Sequence, residues 1–176
     1  MITIIEASPN SWVFHHNLPE GVEESLDNAI DCFQAGNLDE AEETLRKLLL
    51  VCPFYMDALH HLALVFSDSG LELESYLCSR EAVRIGLEAI PSQFSWLTSR
   101  MLWGHIENRP FMRAYHALGL SILNNQGAAP AIDIFARLVS VNPNDNLGCR
   151  YTLMQCYLDL DEWQAALNLS QLYSKG

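Results

Sequence analysis

Apolar residues recur at helical spacing along most of the chain, in short runs closed by glycine, asparagine or proline. Val22, Leu26, Ala29, Ile30 and Phe33 share one helical face, and Gly36-Asn37 ends the run. Pro19 suits a first helical turn, where its missing N–H costs nothing. A second run, Asp39 to Val51, is stopped by Pro53, so residues 20–52 read as a helical hairpin. A second pair follows, with Leu59, Leu62, Ala63 and Phe66 before Gly70, then Leu73 to Ala89 before Ile90-Pro91. Pro110 opens a third pair, with Tyr115, Leu118, Gly119 and Ile122 on its first helix and Ala129 to Val141 on its second. A fourth begins near Leu147, places Tyr151, Leu153, Met154, Tyr157 and Leu158 inward, and turns at Leu160 to Trp163. Its last helix runs to about Tyr173, with Ala165 or Ala166 at the close-packed position.

Two stretches break the rhythm. Residues 1–17 lack a helical period and contain the turn cluster Ser8-Pro9-Asn10-Ser11. They read as an irregular or extended leader that docks Trp12 and Phe14 on the first helix pair. Residues 92–109 form an irregular insert rich in Phe94, Trp96, Leu97, Met101, Leu102 and Trp103, with Ser95 as cap of a short helix ending at Gly104.

A single spacing occurs twice among the helices. Ala41, Leu45, Leu48 and Pro53 are matched by Ala131, Phe135, Leu138 and Pro143, at offsets of four, seven and twelve from each alanine. Together with Leu118-Gly119, Leu62-Ala63 and Gly70, this resembles the tetratricopeptide repeat (TPR) family over roughly residues 20–174, the insert excepted. The runs Ile106 to Phe111 and Asn142 to Asn146 also resemble bacterial proteins carrying such repeats, which implies no particular activity. The resemblance implies an all-α, right-handed α-solenoid of about four TPR-like hairpins, a single domain over 18–176. Small residues at Ala41, Ala63, Gly119 and Ala131 would then sit where helices approach closely.

In this family the first helices of successive pairs line a concave groove. The resemblance therefore places Asp57, His60, Leu64 and Ser67 there, followed by Arg113, His116, Leu120 and Asn124, then Tyr151, Gln155 and Asp159. A mixed polar and aromatic lining of this kind suits an extended peptide or a partner helix. One class of the family grips acidic chaperone C-termini with a Lys, Asn and Arg clamp. Here the lysines are Lys47 and Lys175, the matching positions hold Leu26, Ile30, His60 and Leu64, and that function is rejected.

Charge adds a second candidate surface. The net charge of −12 is confined to residues 1–90, with sixteen acids against four bases; residues 91–176 hold six of each. Glu20, Glu24, Asp27 and Asp31 fall on one helical face, an acidic docking face for a basic partner or a solvated surface. The excess of acid disfavours nucleic acid. Aromatics and bases alternate over residues 94–116, which suits either anion binding or arginines engaged inside the fold. Arg109 and Arg113 are the residues to test there. Five irregularly spaced cysteines without a Cys-x-x-Cys read as reduced, buried thiols. The adjacent pairs His15-His16 and His60-His61 lack metal-ligand spacing, and no P-loop, dinucleotide or nucleophile-elbow motif occurs.

The expectation is a non-catalytic protein–protein interaction module or adaptor without metal or cofactor, cytoplasmic and not membrane-bound. The alternatives are a secretion-type chaperone for an exported protein, an enzyme or metal protein, and a homo-oligomer formed through the terminal hairpins, where Trp163, Leu167, Leu169 and Tyr173 leave apolar surface.

Overall fold

The computed structural model describes residues 2–173. Its elements are strands β1 (Ile2–Ser8) and β2 (Ser11–His16), then helices α1 (Val22–Gln34), α2 (Leu38–Val51), α3 (Met56–Asp68) and α4 (Glu72–Ala89). A 3₁₀ turn at Ile106–Asn108 leads into α5 (Arg109–Gln126), α6 (Ala128–Val141), α7 (Cys149–Asp159) and α8 (Trp163–Tyr173). Consecutive helices pack as antiparallel pairs and stack into an α-solenoid of the tetratricopeptide type. None of the described helices is long and apolar enough to cross a membrane.

The twice-repeated spacing marks buried helix faces. Ala41 and Leu45 on α2, and Ala131 and Phe135 on α6, are fully buried. Helix α3 joins two bodies of core. Ala58, Leu62, Val65 and Phe66 pack with Val22, Leu26, Ala29, Leu45 and Leu48, while Met56 and Leu59 pack with α4, α5 and the N-terminal strands. Where helices touch most closely the chain uses glycine. A Cβ on Gly119 would lie 3.0 Å from Ile134 and Phe135. On Gly86 it would lie 2.2 Å from Cδ2 of Phe111, closer than any side chain tolerates.

Of the irregular and extended readings of the leader, the extended one holds: it is a regular β-hairpin. β1 and β2 pair antiparallel, Ile2 opposite His16 and Glu6 opposite Trp12. The turn is set by Asn10, at φ 61°, whose N–H donates to Glu6 Oε1 at 2.7 Å. Trp12 and Phe14 point inward on alternate positions of β2. They do not dock on the first helix pair. Phe14 meets Phe111 of α5 with ring centroids 5.2 Å apart, and Trp12 meets Phe94 of the insert at 5.9 Å.

The insert forms no helix capped by Ser95. It runs as turns, and its Arg100 extends the hairpin: Trp12 N–H donates to Arg100 O at 2.8 Å, and Arg100 N–H to Asn10 O at 2.7 Å. Asn108, wholly buried, ties the two departures together. Its Oδ1 accepts from Phe14 N–H at 3.0 Å, and its Nδ2 donates to Trp12 O at 3.0 Å and Leu102 O at 3.2 Å. The far end of the insert is fastened to α6, Met101 N–H to Val141 O at 2.9 Å and Ser140 Oγ to Trp96 O at 2.6 Å.

Two smaller differences concern register. Helix α1 starts at Val22, so Pro19 and Glu20 precede it. On α7 the buried stripe is Cys149, Leu153 and Cys156, a step of four and then three. Tyr151 therefore points outward, 67% exposed. All five cysteines are free, and Cys149 and Cys156 pack as small apolar groups. On α8, Ala166 takes the close-packed position.

Candidate functional site

The eleven residues expected along the groove divide among three places. Asp57, His60, Arg113 and His116 belong to a polar layer between α3 and α5. Arg113 Nη2 lies 2.8 Å from Asp57 Oδ1, and His61 Nε2 lies 3.7 Å from the same oxygen. The imidazoles of His60 and His61 meet edge to face at 5.4 Å, and His116 meets Phe135 in the same manner at 5.9 Å. His60 is only 7% exposed, which pushes its pKa down to about 3, first through desolvation and then through His61, Arg113 and His116. Burial also lowers His61 and His116. His60 is thus a neutral core residue rather than a groove contact, because α3 is covered on both sides.

Leu64, Leu120 and Asn124 line an open cleft. It holds about 460 Å³ between α3, α4 and α5. Small side chains make it: Ala63 and Ser67 on α3, Ser75 and Ser79 on α4, Ala117 and Ser121 on α5 leave the gap between helices unfilled. Leu120, 37% exposed, stands at the wall, and Tyr76, Asn124 and Asn125 supply amide and hydroxyl groups. The lining contains one charged residue, Glu72. The share taken by α4 falls outside the sequence expectation, since the family rule assigns grooves to first helices alone. The serines on α4 at 75 and 79, facing no apolar partner in the sequence, are its only trace there.

Tyr151 and Gln155 lie apart from both groups, in a cleft of about 360 Å³ between α7 and α8 with Met154, Leu169 and Ser170. Gln155 Nε2 donates to Asp159 Oδ1 at 2.7 Å along the same helix.

Glu20, Glu24, Asp27 and Asp31 are exposed, on or just before α1, and pair with no base among the described residues. Three of the four bases of the acidic half pair locally, Arg46 with Glu42, Lys47 with Glu43, and Arg84 with Glu81 and Glu88, and Arg80 stacks over Tyr76. Two arginines of residues 94–116, Arg109 and Arg113, are engaged internally. Arg109 donates to Trp103 O at 3.0 Å and stacks over that ring, and Arg113 holds Asp57. Among the described residues no three His, Cys, Asp or Glu side chains gather as a metal site.

The fold is that of a tetratricopeptide-type α-solenoid. Solved structures bear out that fold. The chain is 18% identical to a crystal structure of MamA, with a TM-score of 0.61, over 88% of this chain and 72% of that one. It is 15% identical to the first TPR domain of Spaghetti (RPAP3), bound to an HSP90 peptide, with a TM-score of 0.60 over 81% of this chain and 97% of that one. It is 15% identical to YrrB, described as a TPR protein with an unusual peptide-binding site, with a TM-score of 0.62 over 86% and 66%. No family model matches the chain, and no curated protein is similar to it in sequence.

Proposed function

We propose that this protein is a non-catalytic interaction module that holds an extended peptide segment of a protein partner in the cleft between α3, α4 and α5. The observation that carries this reading is the cleft itself: a long gap with apolar walls at Leu64 and Leu120 and neutral hydrogen-bonding groups at Ser75, Tyr76, Ser121, Asn124 and Asn125. Apolar walls hold side chains, while amides and hydroxyls satisfy the peptide backbone. The peptide complex of the RPAP3 domain and the peptide site of YrrB lend support by likeness of fold. Neither a base nor a cluster of acids lines the cleft, so the segment within it is uncharged.

The unpaired carboxylates of α1 act as a second, steering surface. They favour basic residues flanking the bound segment and raise the association rate. The test is capture of the partner from the native cell by wild type, Leu120→Arg and an α1 variant with Glu24, Asp27 and Asp31 changed to Gln or Asn. Leu120→Arg should abolish capture at unchanged thermal stability. The α1 variant should weaken capture mainly at low salt. Full capture by a folded Leu120→Arg protein refutes the cleft assignment.

A further inference from the structure

A second hollow is roomier than the peptide cleft. It lies between α6, α7 and α8 beneath the insert, encloses about 700 Å³, and shares no residue with the cleft. Ala136, Val139, Pro143, Leu153, Leu172 and Tyr173 form its apolar walls. Two guanidinium groups, Arg100 and Arg150, face it, and no Asp or Glu lines it.

That charge pattern is unusual in a chain of net charge −12. Arg84, Arg113 and Arg137 each sit within 3 Å of a carboxylate. Arg100 is half-buried and has no carboxylate within 4 Å among the described residues, and its guanidinium donates to the neighbouring Ser99 O at 3.0 Å. Arg150 is held by aromatic faces, Tyr151 at 4.8 Å and Tyr173 at 4.6 Å, and donates to the Tyr151 hydroxyl at 2.9 Å. Its nearest acid, Asp145, is 3.5 Å from Nε. That carboxylate is buried and also accepts the Arg150 backbone N–H at 3.2 Å, which caps the start of α7. The two cations thus keep donors free at the edge of an apolar hollow. Asp145 and the two tyrosine rings compensate Arg150, but Arg100 has no facing anion among the described residues, and a half-buried guanidinium in that position carries a desolvation cost that folding alone does not offset.

We infer that this hollow binds a small anionic amphiphile, a carboxylate, sulfonate or phosphate head on an apolar body. The head is held by Arg100 and Arg150, whose planar forks suit an oxyanion in two-point contact. The body lies along Val139, Leu153, Leu172 and Tyr173. The size falls within the range of small-molecule pockets. The insert supplies Arg100 and the last repeat supplies Arg150, so the site exists only because the insert is strapped to the end of α6.

The probes are decanoate, decyltrimethylammonium and the fluorescent anion anilinonaphthalene sulfonate, below their micellar concentrations, with the full chain. Decanoate should bind one-to-one and displace the sulfonate. The cation should bind at least about tenfold more weakly, the ratio expected for loss of one charge-assisted contact. Arg100→Gln should reduce decanoate affinity by a similar factor with unchanged thermal unfolding. Leu172→Glu, at a rim position 69% exposed, tests the same point without touching an arginine and should also weaken decanoate. Equal affinity for both head-group charges, or undiminished decanoate binding by both folded variants, overturns the proposal. So does the absence of saturable decanoate binding. The peptide cleft is unaffected by either result, since Leu120→Arg should leave decanoate binding intact.

Discussion

Asn108→Ala is the sharpest perturbation of the fold, because one side chain joins the hairpin, the insert and α5. The residue is fully buried and makes three hydrogen bonds, to Phe14 N–H, Trp12 O and Leu102 O. Three bonds at about 1 kcal/mol each give a loss of about 3 kcal/mol. The Phe14 N–H is then left buried without a partner, which adds about 1–2 kcal/mol. The expected loss of about 4–5 kcal/mol is a large fraction of the 5–15 kcal/mol typical of whole domains. The loss should be local first. Hydrogen exchange at the Trp12 and Phe14 amides should accelerate while the α2 and α6 amides stay protected, since those helices do not touch Asn108. Urea unfolding read by circular dichroism gives the total, and exchange mass spectrometry gives the distribution. A loss under about 1 kcal/mol, with unchanged exchange in β2, refutes the claim that Asn108 holds these segments together.

Three further outcomes follow from the packing. Gly86→Ala gains helix propensity of about 1 kcal/mol but drives a Cβ into the Phe111 ring, so a net loss of about 2 kcal/mol is expected by thermal unfolding. His60 titrates at about 3 in the fold against 6.5 when free, so protons bind the unfolded chain preferentially between those values. Stability should therefore fall as pH drops below 6.5, by about 2 kcal/mol at pH 5 from this residue alone, and His60→Gln should flatten that slope in urea titrations at several pH values. Asp57→Asn leaves the partly buried Arg113 without its carboxylate and should cost about 1–2 kcal/mol, with Asp57→Asn/Arg113→Met recovering some of it in a double-mutant cycle.

The solenoid is legible in the sequence because its signal is local and repeated. Ala41 and Ala131, with their large partners and terminal prolines, appear as buried stripes on α2 and α6 where the spacing places them. The N-terminal hairpin is not, although Trp12 and Phe14 alternate with Val13 and His15 as a half-buried strand should. Its pairing depends on Arg100 and Asn108, about ninety residues away, and contact at that distance leaves no periodic trace. The groove is only partly legible for a related reason. Helical period says which residues share a face, and so it groups Leu64 with Asp57 and Leu120 with Arg113. It does not say which part of that face a neighbouring helix covers: His60 is buried, while Leu64 and Leu120 line an open cleft.

Partner contact at the cleft is tested most directly by site-specific photocrosslinking in the native cell. A benzophenone side chain is placed at position 120 in the cleft, or at position 50, where Leu50 is 86% exposed on the outer surface of α2. The proposed function predicts a discrete adduct from position 120 that Asn124→Arg in the same protein suppresses, and none from position 50. Adducts from position 50 alone, or adducts from position 120 that persist with Asn124→Arg, contradict it.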